Sequence, residues 1–342
     1  MPYRLSDKWA TGDMKRIKIN FTGYVGNDSC IVFNILKKHY EIEISETPDF
    51  VFHYCFNKNP PEYDNCVKIF HIGEPFHPNF NECDYAIGID YMDFGDRYIR
   101  IPFGYGQLTP SLQNRSRFAD NLSNRKFCNF IYNNASIGEG ALLRQEFCKK
   151  LSQYKHIDCP GPVLNNMTDA IESRFSGNWI QGKLEFLKDY KFTIAFENTL
   201  IPGYTTEKLI HPLISNSIPI YYGNPLVVKE FNTKAFVNCN DYDNDLDLVV
   251  QKVIELDKDE NEYMEMLQQP PMRGDYRFDN EHKLETFLVN IIERGNKPYN
   301  KDPLNITHLH KRRSFAENVA RKCKFYCEFL KRTVTSIHSK TE

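Results

Sequence analysis

The stretch KFTIAFENTLIPGYTTEKLI, residues 191–210, changes character at Phe196. Up to that point it is almost wholly apolar or β-branched, the pattern of a strand covered on both faces. Beyond it come a carboxylate, an amide, a Pro202-Gly203 turn, the phenol of Tyr204 and two threonines ahead of Glu207 and Lys208. Pro-Gly marks a turn. Thr205 or Thr206 suits a helix N-cap, and Glu207 in the first turn complements the helix dipole. The spacing therefore predicts a strand ending at Phe196 and a helix opening near Glu207. Pro212 lacks a backbone N–H, so this helix is expected to kink or end early. Glu197, Asn198, Tyr204, Glu207 and Lys208 would gather at the carboxyl end of a strand, where open α/β sheets bind ligands. A lysine at a helix N-terminus suits phosphate, and a carboxylate beside an amide suits sugar hydroxyls.

The same pattern extends in both directions. Towards the N-terminus, 15–21, 40–44, 49–56, 67–73, 84–89 and 97–103 read as strands, and 30–40 reads as a helix. The polar run 109–125, rich in Ser, Asn and Arg, reads as a domain boundary. A second alternating set follows: strands at 126–134, 156–159, 191–196, 217–223 and 235–239, with helices at 138–154 and 183–190. Strands alternating with helices predict an α/β fold of two Rossmann-like domains facing across a cleft. Residues 1–120 form the first domain, 121–300 the second and 301–342 a C-terminal helical tail.

Bulk properties exclude several classes. The 342 residues carry a net charge of -2, so nothing draws the chain to nucleic acid. No run of about 18 apolar residues is present to span a membrane. The N-terminal stretch has no apolar core of a secretory signal. Ten cysteines without a CxxC pair read as reduced, buried thiols of a cytoplasmic protein. Asp241, Asp243, Asp245 and Asp247 imitate a metal-binding acidic motif, but their position ahead of a helix reads as a solvated loop. In 311–342, nine Lys/Arg and three Glu surround an apolar stripe from Phe315 through Tyr326 to Ile337. That is the pattern of a basic amphipathic helix, able to lie peripherally on the anionic inner face of a membrane or to dock on the protein.

Residues 190–223, YKFTIAFENTLIPGYTTEKLIHPLISNSIPIYYG, resemble the donor-site signature of the α-1,3-fucosyltransferases, glycosyltransferase family 10. The resemblance rests on FEN, then Tyr204, then Thr206-Glu207-Lys208, then a proline-containing strand ending at Gly223. His211-Pro212 departs from the pattern expected after that TEK. HIGEPFHPNFNECDYAIGIDYMDFGDRYIRIPF (71–103) resembles the family's acceptor-domain segment, with Glu74 in a G-E-N/E-S-P-like setting. LLRQEFCKKLSQYKHIDCPGPVLNN (142–166) resembles the segment with its phosphate-binding arginine, here Arg144. The wording is most similar to the soluble bacterial members.

The resemblance implies a GT-B fold, GDP-β-L-fucose as donor, and inverting transfer to GlcNAc O3 of N-acetyllactosamine-type glycans. Transfer to O4 of type 1 chains is the variant. Inversion in one displacement needs a carboxylate to take the acceptor proton, and Glu74 is the candidate. Arg144 and Lys208 would stabilise the departing GDP, while Asn198, Tyr204 and Glu207 would bind fucose and ribose hydroxyls. With those cations at the phosphates no metal is expected to be obligatory, Mn2+ being at most stimulatory. The competing readings are a GT-B enzyme for another nucleotide sugar and an inactive glycan-binding relative.

Overall fold

The structure is a computed structural model and describes residues 14–23, 30–54, 65–102, 112, 124–168, 179–274 and 279–299. Among them, strands form two wholly parallel sheets. The first contains β1 (Arg16–Thr22), β2 (Glu41–Ile44), β3 (Phe50–Tyr54), β4 (Val67–His71), β5 (Tyr85–Gly88) and β6 (Tyr98–Arg100), in the order β2-β1-β3-β4-β5-β6. The second contains β7 (Lys126–Asn129), β8 (Ile157–Asp158), β9 (Tyr190–Phe196), β10 (Ile218–Tyr222) and β11 (Val237–Asn238), in the order β11-β10-β9-β7-β8.

The two orders follow one rule. The chain lays its second strand on one side of the first, then returns to place the third on the other side. That reversal opens a crevice at the strand carboxyl ends, between β1 and β3 in one sheet and between β7 and β9 in the other. Strand β9 sits centrally, and every residue of it except Lys191 is buried, which is why its sequence is a nearly unbroken apolar run.

The helices are α1 (Ile31–Leu36), α2 (Glu139–Leu151), α3 (Trp179–Lys188), α4 (Glu207–Ile214), α5 (Leu246–Lys258), α6 (Glu260–Gln268) and α7 (Asn280–Glu293). On α2, Ala141, Arg144, Phe147, Cys148 and Leu151 are buried at helical spacing, so the arginine occupies a core position. Its N-terminus packs directly on the backbone after β9. Gly140 N donates to Asn198 O at 3.0 Å, and a Cβ on Gly140 would lie 2.0 Å from Glu197 O. Only glycine permits that approach.

Three expectations are sharpened or changed. Helix α4 does end early, at Ile214, but it runs two residues beyond Pro212. Leu209, Ile210, His211, Pro212 and Leu213 are all buried, and that burial offsets the donor that proline lacks. Strand β7 ends at Asn129, well short of 134, at the residue where its pairing with β8 also ends. The third change concerns domains. Helix α7 falls in the stretch 121–300, yet Leu284, Phe287, Leu288, Ile291 and Ile292 join the core of β1, β3, β4, β5 and α1. The chain crosses back to complete the first unit. Most of 109–125 and all of the tail 301–342 lie outside the described residues. The described cysteines, among them Cys128, Cys148 and Cys159, are buried and unbridged.

Candidate active site

The turn after β9 is built around Glu197, whose side chain is wholly buried. Its Oε1 accepts from Thr206 N at 2.6 Å and its Oε2 from Thr206 Oγ1 at 2.8 Å. Thr206, not Thr205, is the N-cap of α4: its Oγ1 accepts from Lys208 N at 3.3 Å. Lys208 Nζ lies 3.3 Å from Glu197 Oε2 and 3.4 Å from Glu207 Oε1. Burial pushes the Glu197 carboxyl up from its ordinary value, and Lys208 and the Thr206 donors oppose this only in part. Thr205 is used elsewhere, accepting from Asn224 Nδ2 at 3.0 Å.

Beneath this turn lies Arg144, with no exposed surface. Its Nη1 donates to Asn198 Oδ1 at 2.9 Å and to Phe196 O at 3.4 Å, and its Nη2 donates to Asn134 O. The guanidinium lies 4.0 Å from the Tyr132 ring centroid, a desolvated cation–π contact worth about 2 kcal/mol. Tyr132 Oη in turn donates to Ile194 O and accepts from Phe196 N, at 2.9 and 2.7 Å. Arg144 Nε has no hydrogen-bond partner among the described residues. Burial lowers the Arg144 pKa, but an arginine keeps its charge in proteins.

A further cation comes from α3. Lys183 faces Glu207 and Lys208, and burial lowers its pKa while Glu207 opposes that shift. Burial works against the Glu207 charge, but Lys208 and Lys183 outweigh it and hold the carboxyl at about 2. His211 is buried one turn further along α4, its ring 6.1 Å from that of Trp179 on α3. Burial, with Lys183 adding to it, brings His211 down to about 3, so it is neutral. Arg144, Lys183 and Lys208 are thus interleaved with Glu197 and Glu207 around the turn, each shifting the others' ionisation.

Glu74 approaches from the other sheet. It sits in the turn after β4, which is tied down by Ile72 N to Ile87 O at 3.0 Å, Phe76 N to Glu74 O at 2.7 Å and His77 Nδ1 to Asp90 Oδ2 at 2.7 Å. Tyr204 Oη donates to Glu74 Oε2 at 3.3 Å. Burial first, then the charges of Glu197 and Glu74, raises the Tyr204 phenol well above its usual range, so it stays a donor. All six site residues expected from sequence, Glu74, Arg144, Asn198, Tyr204, Glu207 and Lys208, lie at the carboxyl ends of the two sheets or directly under them.

Two family models cover most of this framework. One, described as the Alpha-(1,3)-fucosyltransferase FucT N-terminal domain, matches residues 18–105, and the other, Glycosyltransferase family 10 (fucosyltransferase) C-term, matches residues 124–287. The chain belongs to glycosyltransferase family 10. Among relatives, an alpha-(1,3)-fucosyltransferase of Helicobacter pylori is 30% identical over 313 residues, covering 78% of this chain and 62% of that protein. The chain therefore spans less than two thirds of that relative's length. A crystal structure of an alpha1,3-fucosyltransferase with GDP superposes with a TM-score of 0.69 at 28% identity, covering 87% of this chain and 96% of the other. One with GDP-fucose gives 0.66 at 28%, covering 84% and 94%. The architecture is GT-B, two Rossmann-like units facing each other.

In this family 10 chain, sequence reasoning left Lys183 and Tyr132 out of the site. Glu197 is expected in the cluster, but its role as the buried anchor of Thr206 and Lys208 depends on a turn that closes back on itself. Lys183 lies in an ordinary amphipathic helix, and only the packing of α3 on α4 brings it to Glu207. Tyr132 follows β7 in what reads as strand. The acidic run serves the structure: Asp245 N-caps α5, Asp247 pairs with Lys150 at 2.6 Å, and Asp241 accepts from Asn238 at 2.8 Å. Among the described residues, no group of three or more His, Cys, Asp or Glu is placed to hold a metal ion, and no helix is long and apolar enough to cross a membrane.

Proposed function

We propose that this chain transfers L-fucose from GDP-β-L-fucose, with inversion, to GlcNAc O3 of N-acetyllactosamine-type glycans. The observation that carries the reading is the Tyr204–Glu74 hydrogen bond, which brings the carboxylate of one unit to the donor turn of the other. Glu74 takes the proton of the acceptor hydroxyl as that oxygen bonds to fucose C1. The C1–O bond to the β-phosphate breaks, and GDP departs with the electron pair. Attack from the face opposite the leaving group converts the β-linked donor to an α-fucoside. A positioned base of this kind contributes about 10²–10⁴ in rate.

GDP leaves as an anion and needs positive charge more than a proton. Lys208 and Lys183, with Arg144 below the loop and the N-terminus of α4, supply it, and each such preorganised group is worth roughly 10²–10³. Asn198, Tyr204 and Glu207 bind fucose and ribose hydroxyls. The donor assignment draws support from the related α1,3-fucosyltransferases solved with GDP-fucose and with GDP. Incubation with several nucleotide sugars and a panel of type 1 and type 2 acceptors, with products read by NMR, tests it. Fucose transfer in α1,3 linkage supports the reading; transfer of another sugar, or none from GDP-fucose, rejects it.

The chain works in the cytoplasm, peripherally at the inner membrane face, through 311–342. Each Lys or Arg near an anionic leaflet contributes about 1 kcal/mol. Full-length protein should co-sediment with phosphatidylserine vesicles at low salt and lose this steeply as salt rises, while truncation after 310 abolishes it. A full-length protein that ignores those vesicles at low salt would assign the tail to the fold.

A further inference from the structure

Beside the Tyr204–Glu74 contact, the two Rossmann-like units meet at a charged joint. Arg100, the last residue of β6, donates from Nη1 to Glu230 Oε1 at 2.8 Å and from Nη2 to Glu230 Oε2 at 3.1 Å. The pair is shielded, with side-chain exposures of 16% and 5%. Arg100 Nε donates to Ile89 O at 2.8 Å. Its guanidinium lies 3.8 Å from the Tyr91 ring centroid, and Lys229 reaches the same ring at 4.4 Å. Gly203 presses on the same backbone: a Cβ there would lie 2.1 Å from Ile89 O. Gly203 N donates to Asn224 Oδ1 at 2.8 Å, on the segment that leads from β10 to Glu230.

These contacts close a circuit. Glu230 holds Arg100, Arg100 holds Ile89 O, Ile89 O abuts Gly203, and the next residue, Tyr204, holds Glu74. We propose that the Arg100–Glu230 pair positions the transfer step by fixing the separation and angle between Glu74 and the donor turn. The inference rests on reading Glu74 as the base. Neither residue of the pair is a catalytic residue; both act through the backbone of 89–91 and 202–204.

The choice of a salt bridge at this point has a physical consequence. Contacts between domains ordinarily leave relative motion free unless they are large and apolar. A shielded ion pair gains little net stability, because desolvation cancels much of the attraction. A bidentate guanidinium–carboxylate pair does fix direction in a plane, which an apolar contact does not. Misplacing a reacting group by about 1 Å costs up to about 10²-fold in rate, so rigidity here acts on kcat.

The test is Glu230→Gln, Arg100→Lys and the exchanged pair Arg100→Glu/Glu230→Arg, assayed for transfer and for GDP binding by calorimetry. Glu230→Gln should lower kcat by about tenfold or more and leave GDP affinity within about twofold, since the donor turn itself is intact. Arg100→Lys keeps the charge, loses the fork and should show the same pattern more weakly. It is the variant to read if Glu230→Gln does not fold. The exchanged pair restores the salt bridge but not the hydrogen bond from position 100 to Ile89 O, so it should recover only part of the lost kcat. The proposal is overturned if kcat is unchanged in both single variants, or if kcat and GDP affinity fall together and the exchange restores neither. Glu74→Gln separates the two readings. If that variant turns over normally, the base assignment fails. If it is inactive while the joint variants keep wild-type kcat, the joint alone fails.

Discussion

Tyr204 Oη and Glu74 Oε2 are 3.3 Å apart, although the two residues belong to different sheets. Tyr204 is 2% exposed and its phenol stays protonated, so it is the donor in the contact with the Glu74 carboxylate. The hydrogen bond therefore orients the Glu74 carboxylate at the donor turn. Tyr204→Phe removes this restraint together with the hydroxyl that the proposed donor contact uses, so kcat is read with donor held saturating. A hydrogen bond to a charged group is worth about 1.5–3 kcal/mol, so kcat for transfer should fall by about tenfold or more. Steady-state kinetics with saturating donor checks this, and an unchanged kcat would mean the phenol does not orient Glu74.

Glu197 predicts a stability effect. Its carboxylate meets Thr206 N, Thr206 Oγ1 and Lys208 with no exposed surface. Glu197→Ala strands a buried ammonium and a buried amide, which should cost about 3–5 kcal/mol. Urea denaturation should show the midpoint moving down with an unchanged slope.

The expectation of two α/β units came from the alternation of apolar runs with helical patterns, and the strands near 16–22, 41–44 and 190–196 follow it closely. Edges were less legible. Strand β7 ends where its short partner ends, a fact about pairing and not about its own apolar residues. Helix α4 passes Pro212 because buried neighbours outweigh one missing donor, and that burial is tertiary. Helix α7 reads as any amphipathic helix, and its spacing cannot say which of two cores it will join. In the site, residues in one short run, such as Glu207 and Lys208, could be read together. Lys183 and Tyr132 could not, since only packing brings them to the FEN turn.

Acid should destabilise the fold in two stages. His211 has a folded pKa of about 3 against an ordinary 6.5. The unfolded chain therefore takes up a proton below pH 6.5 that the native state refuses. The contribution of neutral His211 is complete above pH 6.5 and is lost as pH falls from there towards 3. Glu207, at about 2 against 4.5, acts in the same direction: its contribution is complete above pH 4.5 and is lost between 4.5 and 2. Thermal midpoints measured at successive pH values should fall below 6.5 and fall faster below 4.5. His211→Gln should flatten the upper part of that decline.

Positive charge from side chains should make a metal ion dispensable. Transfer activity is expected to persist in excess EDTA, whereas Lys183→Met and Lys208→Ala should each weaken GDP binding by about tenfold, the loss of one charge-assisted contact. Activity lost in EDTA and restored by Mn2+ would contradict this. Calorimetry with GDP reads the two variants.

The central claim is that Glu74 takes the proton of the acceptor while the second unit holds the donor. Glu74→Gln keeps the shape of the side chain and removes its basicity. Single-turnover transfer from preloaded GDP-fucose, with donor affinity measured on the same sample, tests the claim most directly. The predicted result is a transfer rate lower by about 10²-fold or more, with donor affinity within about twofold of the wild type. Transfer at the wild-type rate would contradict it and remove Glu74 as the base.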